Sequence, residues 1–285
     1  MKIIKIIIAI TVSITLFIVL NAYSRINIYE ITPSQRSILA QISISPSMVL
    51  DNVKNTSFSF AVISDIHSDY QNLERALQKI KADEIDFIII AGDLTTSGRL
   101  NELYSIKEIL DKSNMKYYVI PGNHDLWSIK GSNNPFRQVF GNEYQSFIKE
   151  GVKFILINNG NGIVGIDKQQ EVWLNKEIQD CLKIYCLAFA HMPLNHPFIA
   201  HIMGEDSTIV SEQAVNLVKK FKHYQVKELF SGHIHYLGEY TLDGLKTYTT
   251  GVIYNENNSS DMNFLEVIVS LPDVKLKTKE VWINQ

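Results

Sequence analysis

From Phe58 onward the chain alternates short β-rich apolar runs with amphipathic stretches, and no other feature restricts its fold as much. FSFAVIS (58–64) precedes YQNLERALQKI (70–80), DFIIIAG (86–92) precedes LNELYSIKEILDK (100–112), and MKYYVIPG (115–122) follows. The alternation returns in VKFILINN (152–159), DKQQEVWLNKEIQ (167–179), YCLAFAHMP (185–193), SEQAVNLVKKF (211–221) and VKELFSGHIH (226–235). Strand then helix, repeated, implies parallel strands joined by covering helices. The tail differs: GEYTLDGLKTYTTG reads as a hairpin turning at Asp243 and Gly244, and NFLEVIVSL and VKLKTKEVWI add two strands. The expected fold is α/β, a four-layer αββα sandwich with mixed sheets and a C-terminal β-meander.

The N-terminus is of another kind. Lys2 and Lys5 precede Ile6–Leu20, an uncharged run interrupted only by Thr11, Ser13 and Thr15. A charged start and an apolar stretch define an export segment. Residues 1–24 are either a signal peptide, with a weak small-x-small site at Ala22 and Ser24, or an uncleaved anchor spanning the membrane through residues 3–20. In both cases the rest of the chain lies outside the cytoplasm, secreted or tethered. Residues 25–57, with Pro33, Pro46 and many Ser, Asn and Gln, read as a linker or arm, and residues 58–285 as the main domain.

Lys and Arg number 27 against 30 Asp and Glu, so no global field attracts polyanions, and no nucleic acid partner is expected. Phosphate binding must be local. Cys181 and Cys186 are too few for a disulfide framework, and Cys186 falls in an apolar run; free buried thiols are expected.

Five short segments follow expected strands, and each carries residue types that bind divalent metals. They are Asp65-Ile66-His67, Gly92-Asp93, Gly122-Asn123-His124-Asp125, His191, and Gly232-His233-Ile234-His235. Singly each is weak, since Asp-x-His can be a helix cap and Gly-Asp a turn. Together, each at the carboxyl end of a strand, they converge on one rim of an open sheet.

In this order they resemble the calcineurin-like metallophosphoesterase superfamily, whose pattern D-x-H, G-D, G-N-H-[DE], H, G-H-x-H is matched over residues 58 to 250. The resemblance implies a metallophosphatase fold and two divalent or trivalent metal ions, manganese, iron, zinc or cobalt. It implies that Asp65, His67 and His235 hold one ion, Asn123, His191 and His233 the other, and that Asp93 bridges them. A hydroxide between the ions then attacks phosphorus, and His124 protonates the leaving group as general acid. Asp125 is expected to orient the His124 ring. In HMPLNHPFIAHIMG (191–204), Asn195, His196 and His201 are either loop residues or contacts to a small-molecule substrate beyond its phosphate. His223 reads as a surface residue.

The acidic residue and Arg that protein phosphatases of the superfamily carry in G-D-x-V-D-R-G are missing from Gly92-Asp93-Leu94-Thr95-Thr96-Ser97-Gly98-Arg99, which disfavours that activity. The form of the motifs is closer to bacterial phosphodiesterases of the cyclic-nucleotide type. A phosphodiesterase or small-molecule phosphomonoesterase is the main expectation. The alternatives are a membrane-associated lipid pyrophosphate or phosphodiester hydrolase, suggested by the anchor and by Met192, Leu194, Phe198 and Ile199, and a non-catalytic metal-binding module.

Overall fold

The computed structural model describes residues 57–255 and 262–283. The expected export segment, residues 1–24, and all of the expected arm except Ser57 lie outside the described residues. Ser57 itself opens the first strand. Among the described residues no helix is long and apolar enough to cross a membrane.

The elements in chain order are β1 (Ser57–Ile63), α1 (Tyr70–Ala82), β2 (Phe87–Ala91), α2 (Leu100–Lys112), β3 (Lys116–Ile120), α3 (Asn123–Leu126), α4 (Pro135–Phe140), β4 (Gln145–Lys149) and β5 (Val152–Leu156). There follow α5 (Lys168–Glu177) with a 3-10 turn (Ile178–Leu182), β6 (Tyr185–Phe189), α6 (Thr208–His223), β7 (Glu228–Ser231), β8 (Gly238–Leu242), β9 (Leu245–Thr249), β10 (Asn263–Ser270) and β11 (Lys275–Trp282). One sheet has the order β11-β10-β1-β2-β3 and the other β4-β5-β6-β7-β9-β8.

Strand alternation separates the core into three layers. In β1, Ala61 and Ile63 face α1 and α2, whereas Phe58, Phe60 and Val62 face the second sheet. β2 is apolar throughout because Ile88 and Ile90 pack outward against the helices while Phe87, Ile89 and Ala91 pack between the sheets. Helix α1 buries Leu73, Ala76, Leu77 and Ile80, one face at helical spacing, and Asp69 caps it by accepting from Asn72 N. On the far side, Ile155, Ala188 and Leu229 pack against Leu174 of α5 and Val210, Leu217 and Phe221 of α6. Helices, sheet, sheet and helices form the expected four-layer sandwich.

Four differences from the sequence reading have local causes. Helices α3 and α4 and strand β4 fall in a stretch to which the sequence reading assigns no element; β4 is an edge strand whose pattern, QSFIK, is mostly polar, and it pairs with β5 through a tight turn at Glu150 and Gly151. α6 starts at Thr208, ahead of the apolar periodicity, because the Ser207 side chain caps it by accepting from Val210 N. The tail does not form a single meander: β8 and β9 join the second sheet beside β7, and β10 and β11 join the first beside β1. The buried strands of the tail are its inner pair, β9 against β7 and β10 against β1, so each hairpin adds to a different sheet. Cys181 and Cys186, expected as free thiols, form a disulfide that ties the 3-10 turn to β6, their Cα atoms 5.3 Å apart.

Candidate metal centre

The carboxyl ends of β1, β2, β3, β6 and β7 point to the same rim, and the five segments meet there through their backbones. Asp65 N donates to Gly92 O, and Ile66 N and His67 N both donate to Asp93 O. Gly232 N donates to His191 O, His233 N to the Asp65 carboxylate, and His124 N to Asp93 Oδ1. These links hold Asp65, His67, Asp93, His233 and His235 at φ of 54°, 46°, 52°, 72° and 51°. Left-handed backbone at residues other than glycine costs on the order of 1 kcal/mol or more each and persists only where the surroundings impose it. Gly92, at φ 90°, lies against the His191 ring, where a Cβ would meet Nδ1.

The donor atoms fall into two groups joined by one carboxylate. In the first, His67 Nε2 is 3.3 Å from His235 Nε2, which is 3.4 Å from Asp65 Oδ1. In the second, His191 Nε2 is 2.9 Å from Asn123 Oδ1, and the donor atoms of Asp93, His191 and His233 all lie within 4.8 Å of one another. Asp93 Oδ2 stands between them, 3.8 Å from His67 Nε2 and 3.3 Å from His191 Nε2. The structure thus brings together all the candidate ligands: Asp65, His67, Asp93, Asn123, His191, His233 and His235. Imidazole, carboxylate and amide oxygen in this proportion suit borderline divalent cations, so the residues fit a metal pair.

The environment gives Asp65, Asp93 and His233 the protonation states such ions need and holds on His191 a proton that a cation would displace. Burial pushes the Asp65 carboxyl upward, but the hydrogen bond with His235 and the charges of His191 and His235 outweigh it and hold Asp65 below the usual carboxylate range. Asp93 is lowered too; burial again opposes, and the His191 charge prevails. His233 falls to about 3, chiefly from burial and then from the neighbouring His191 and His201. Against its burial, His191 rises to about 9 because Asp93 and then Asp65 face it. The Nδ1–H of His191 donates to Ala91 O at 2.9 Å, which leaves Nε2 to face Asn123 and Asp93.

His124 lies at the edge of this group, its Nε2 4.0 Å from Asp93 Oδ2. The expected partner of its ring is corrected. Asp125 does not touch the imidazole: its fully buried carboxylate accepts from Leu94 N, Thr95 N, Thr95 Oγ1 and Gly122 N. It ties the loop after β2 to the loop after β3, and burial and the charge of Asp93 push it up to about 7. The ring is held instead by Thr96 O, which accepts from Nδ1–H at 2.8 Å and leaves Nε2 facing the cluster.

In the loop after His191 the two readings left open by the sequence separate by residue. The Nδ1 of His196 accepts from Phe198 N and Ile199 N, its ring packs on Tyr240, and Asn195 O accepts from the Tyr240 hydroxyl. Both residues fasten the loop to β8 rather than joining the donors. His201 joins them: its ring stacks on His233 with centroids 4.0 Å apart, and Glu205 Oε2 accepts from its Nδ1. Of the apolar residues that suggested a lipid substrate, Met192 and Leu194 are buried in the core, and Phe198 is 92% exposed. Asn159 was missed. Fully buried after β5, it accepts from His191 N and Met192 N and donates to Met192 O, fixing the His191 backbone. Its only sign in the sequence is another polar residue following a strand.

Two mixed sheets with acidic, amide and imidazole donors gathered on a shared rim define a metallophosphoesterase. The chain belongs to the calcineurin-like phosphoesterase family, whose model matches residues 58–237. It is 27% identical over 177 residues to a probable glycerophosphodiester phosphodiesterase of Arcobacter nitrofigilis, covering 60% of this chain and 64% of that protein's length. It is 23% identical to a probable cyclic nucleotide phosphodiesterase of Vesicomyosocius okutanii, over 73% of this chain and 93% of the relative. A human serine/threonine-protein phosphatase is 26% identical over 57% of this chain and 58% of its own length. The missing acidic-Arg pair therefore does not by itself separate the chain from proteins named protein phosphatases. A dimetal phosphatase crystal structure from Danio rerio superposes with a TM-score of 0.59 at 14% identity, covering 79% of this chain and 99% of that one, and shows the shared fold.

Proposed function

We propose that this chain hydrolyses small-molecule phosphoesters, a diester or a small monoester, with two metal ions at the rim. Asp65, His67 and His235 hold one ion, Asn123, His191 and His233 the other, and Asp93 lies between. The position of Asp93 Oδ2, within 4 Å of an imidazole nitrogen from each set, carries this reading. Bound ions supply Lewis acidity toward phosphoryl oxygens and acidify a water. The chain's own part is to place charge and protons. His191 and His124 each have Nδ1–H committed to a backbone carbonyl, so their Nε2 atoms face inward. Nε2 of His124 is the atom from which the leaving oxygen takes its proton. Asn159 and Asp125 hold the loops that carry His191, Asn123 and His124. The names of the bacterial relatives support a phosphodiester. Residues 1–24 support an extracytoplasmic location, and the Cys181–Cys186 bridge agrees with an oxidising compartment.

The test is a panel of monoesters, diesters and pyrophosphates on protein stripped of metal and reloaded with manganese, iron, zinc or cobalt. His124→Ala should keep two ions per chain and lose about 100-fold or more in kcat on a diester with an alkoxide leaving group, with a smaller loss when the leaving group is nitrophenolate. Equal losses on both substrates would remove the general-acid role. No turnover of any ester with any ion would remove the hydrolase.

A further inference from the structure

Trp127 is 61% exposed, although indole has more apolar surface to gain from burial than almost any side chain. Its ring is laid on the His124 imidazole, centroids 3.7 Å apart and planes inclined by 33°. The turn that carries it is fixed, because Trp127 N donates to His124 O and Ser128 Oγ donates to Ser97 O at 2.7 Å. The stack is not needed to aim His124, since Thr96 O already holds its Nδ1–H. Beyond His124 the aromatic wall continues: His67 meets the His124 ring edge-on at 4.5 Å, and Tyr254 meets His67 at 5.5 Å. A flat, uncharged, solvent-facing ring therefore stands beside the group that faces the departing oxygen.

We infer that Trp127 is a specificity-determining residue: its open face stacks on the leaving group, so preferred substrates are phosphoesters whose leaving group carries a planar aromatic ring rather than an aliphatic alcohol. The inference rests on the hydrolase reading for its reaction and on the Trp127–His124 contact for its direction. The planar ring can belong to a nucleoside or to a simple aryl group. Stacking a base on an aromatic side chain is sequence-tolerant, and loss of the aromatic weakens it about tenfold.

Wild type, Trp127→Ala and Trp127→Phe are compared on a dinucleoside phosphate, diphenyl phosphate and diglycerol phosphate. Taking each variant relative to wild type on the same ester cancels differences in leaving-group reactivity. Trp127→Ala should lose about tenfold more kcat/KM on the ring-bearing esters than on diglycerol phosphate, mainly through KM, and Trp127→Phe should recover most of it. A selective loss confined to the dinucleoside assigns the ring to a nucleoside, and one shared by diphenyl phosphate assigns it to any aryl group. The same loss factor on all three esters would overturn the inference. Titration with adenosine 5′-monophosphate gives a readout independent of turnover. It should quench tryptophan fluorescence in wild type, and Trp127→Phe should remove that quench while Trp173 and Trp282 remain. A quench that persists in Trp127→Phe, or none in wild type, counts against stacking. A Trp127-dependent quench in a protein that cleaves no ester would leave stacking standing and sink the hydrolase reading.

Discussion

At Gly122 the backbone has an ordinary φ of −95°, so glycine is not there for its freedom. It is there because a Cβ would run into Asp93 Oδ1 and Asp93 N. Gly122→Ala should fold with a loss of about 1–3 kcal/mol from overpacking and bind fewer than two ions per chain. Metal analysis beside thermal melts checks this, and an alanine variant that keeps both ions would show that Asp93 can move aside. A second expectation concerns Glu228, whose carboxyl burial raises although the Tyr185 hydroxyl donates to it. A carboxyl raised in the folded state takes up a proton on folding. Its contribution is therefore fully present below the ordinary glutamate value of about 4.3 and is lost as pH rises through the raised one. Glu228→Gln should melt higher than wild type at neutral pH, with the gap closing toward about pH 4; a lower Tm at neutral pH would contradict it. The donors themselves were readable in the sequence because few side chains offer lone pairs to a cation. The partner of His124 was not, since a backbone carbonyl such as Thr96 O has no residue identity to read.

At the scale of elements, buried strands and one-faced helices announced themselves because water is excluded from a whole face or from both. β4 did not: as an edge strand it needs only its pairing with β5, which its composition does not encode. The split of the tail between two sheets was equally hidden, because strand patterns record burial and not the identity of the neighbour. The disulfide escaped because Cys186 is as buried as any packing residue, and the 3-10 turn that brings Cys181 within reach has no strong signature. The bridge closes a short loop, so removing it by Cys181→Ser should cost about 2 kcal/mol. It lies near the amino end of β6, whereas His191 follows the carboxyl end, and the rest of that buried strand runs between them. Turnover and ion stoichiometry should survive the substitution while Tm falls under non-reducing conditions. Loss of ions in step with Tm would show that the strand transmits the damage.

For the whole molecule, the proposed ions do what no strand does. Asp65, His67 and Asn123 descend from the first sheet, and His191, His233 and His235 from the second, so each ion takes donors from both. Chelation should lower Tm, reloading should restore it, and Tm should climb with ion concentration, since a ligand bound only by the folded state stabilises by mass action. A melt indifferent to ions would argue that the centre bears no load across the seam. Away from the rim, the sheets are kept apart by aromatic rings: Phe60 meets Phe154, Phe189 and Phe230 at 5.3, 6.0 and 6.1 Å. That hydrocarbon layer is a spacer block between the two sets of strands that end in the donors. Thinning that layer, as by Phe154→Leu, should therefore alter which cation the reloaded protein prefers with every ligand untouched, and an unaltered preference would show that the rim is set independently of the rings beneath it.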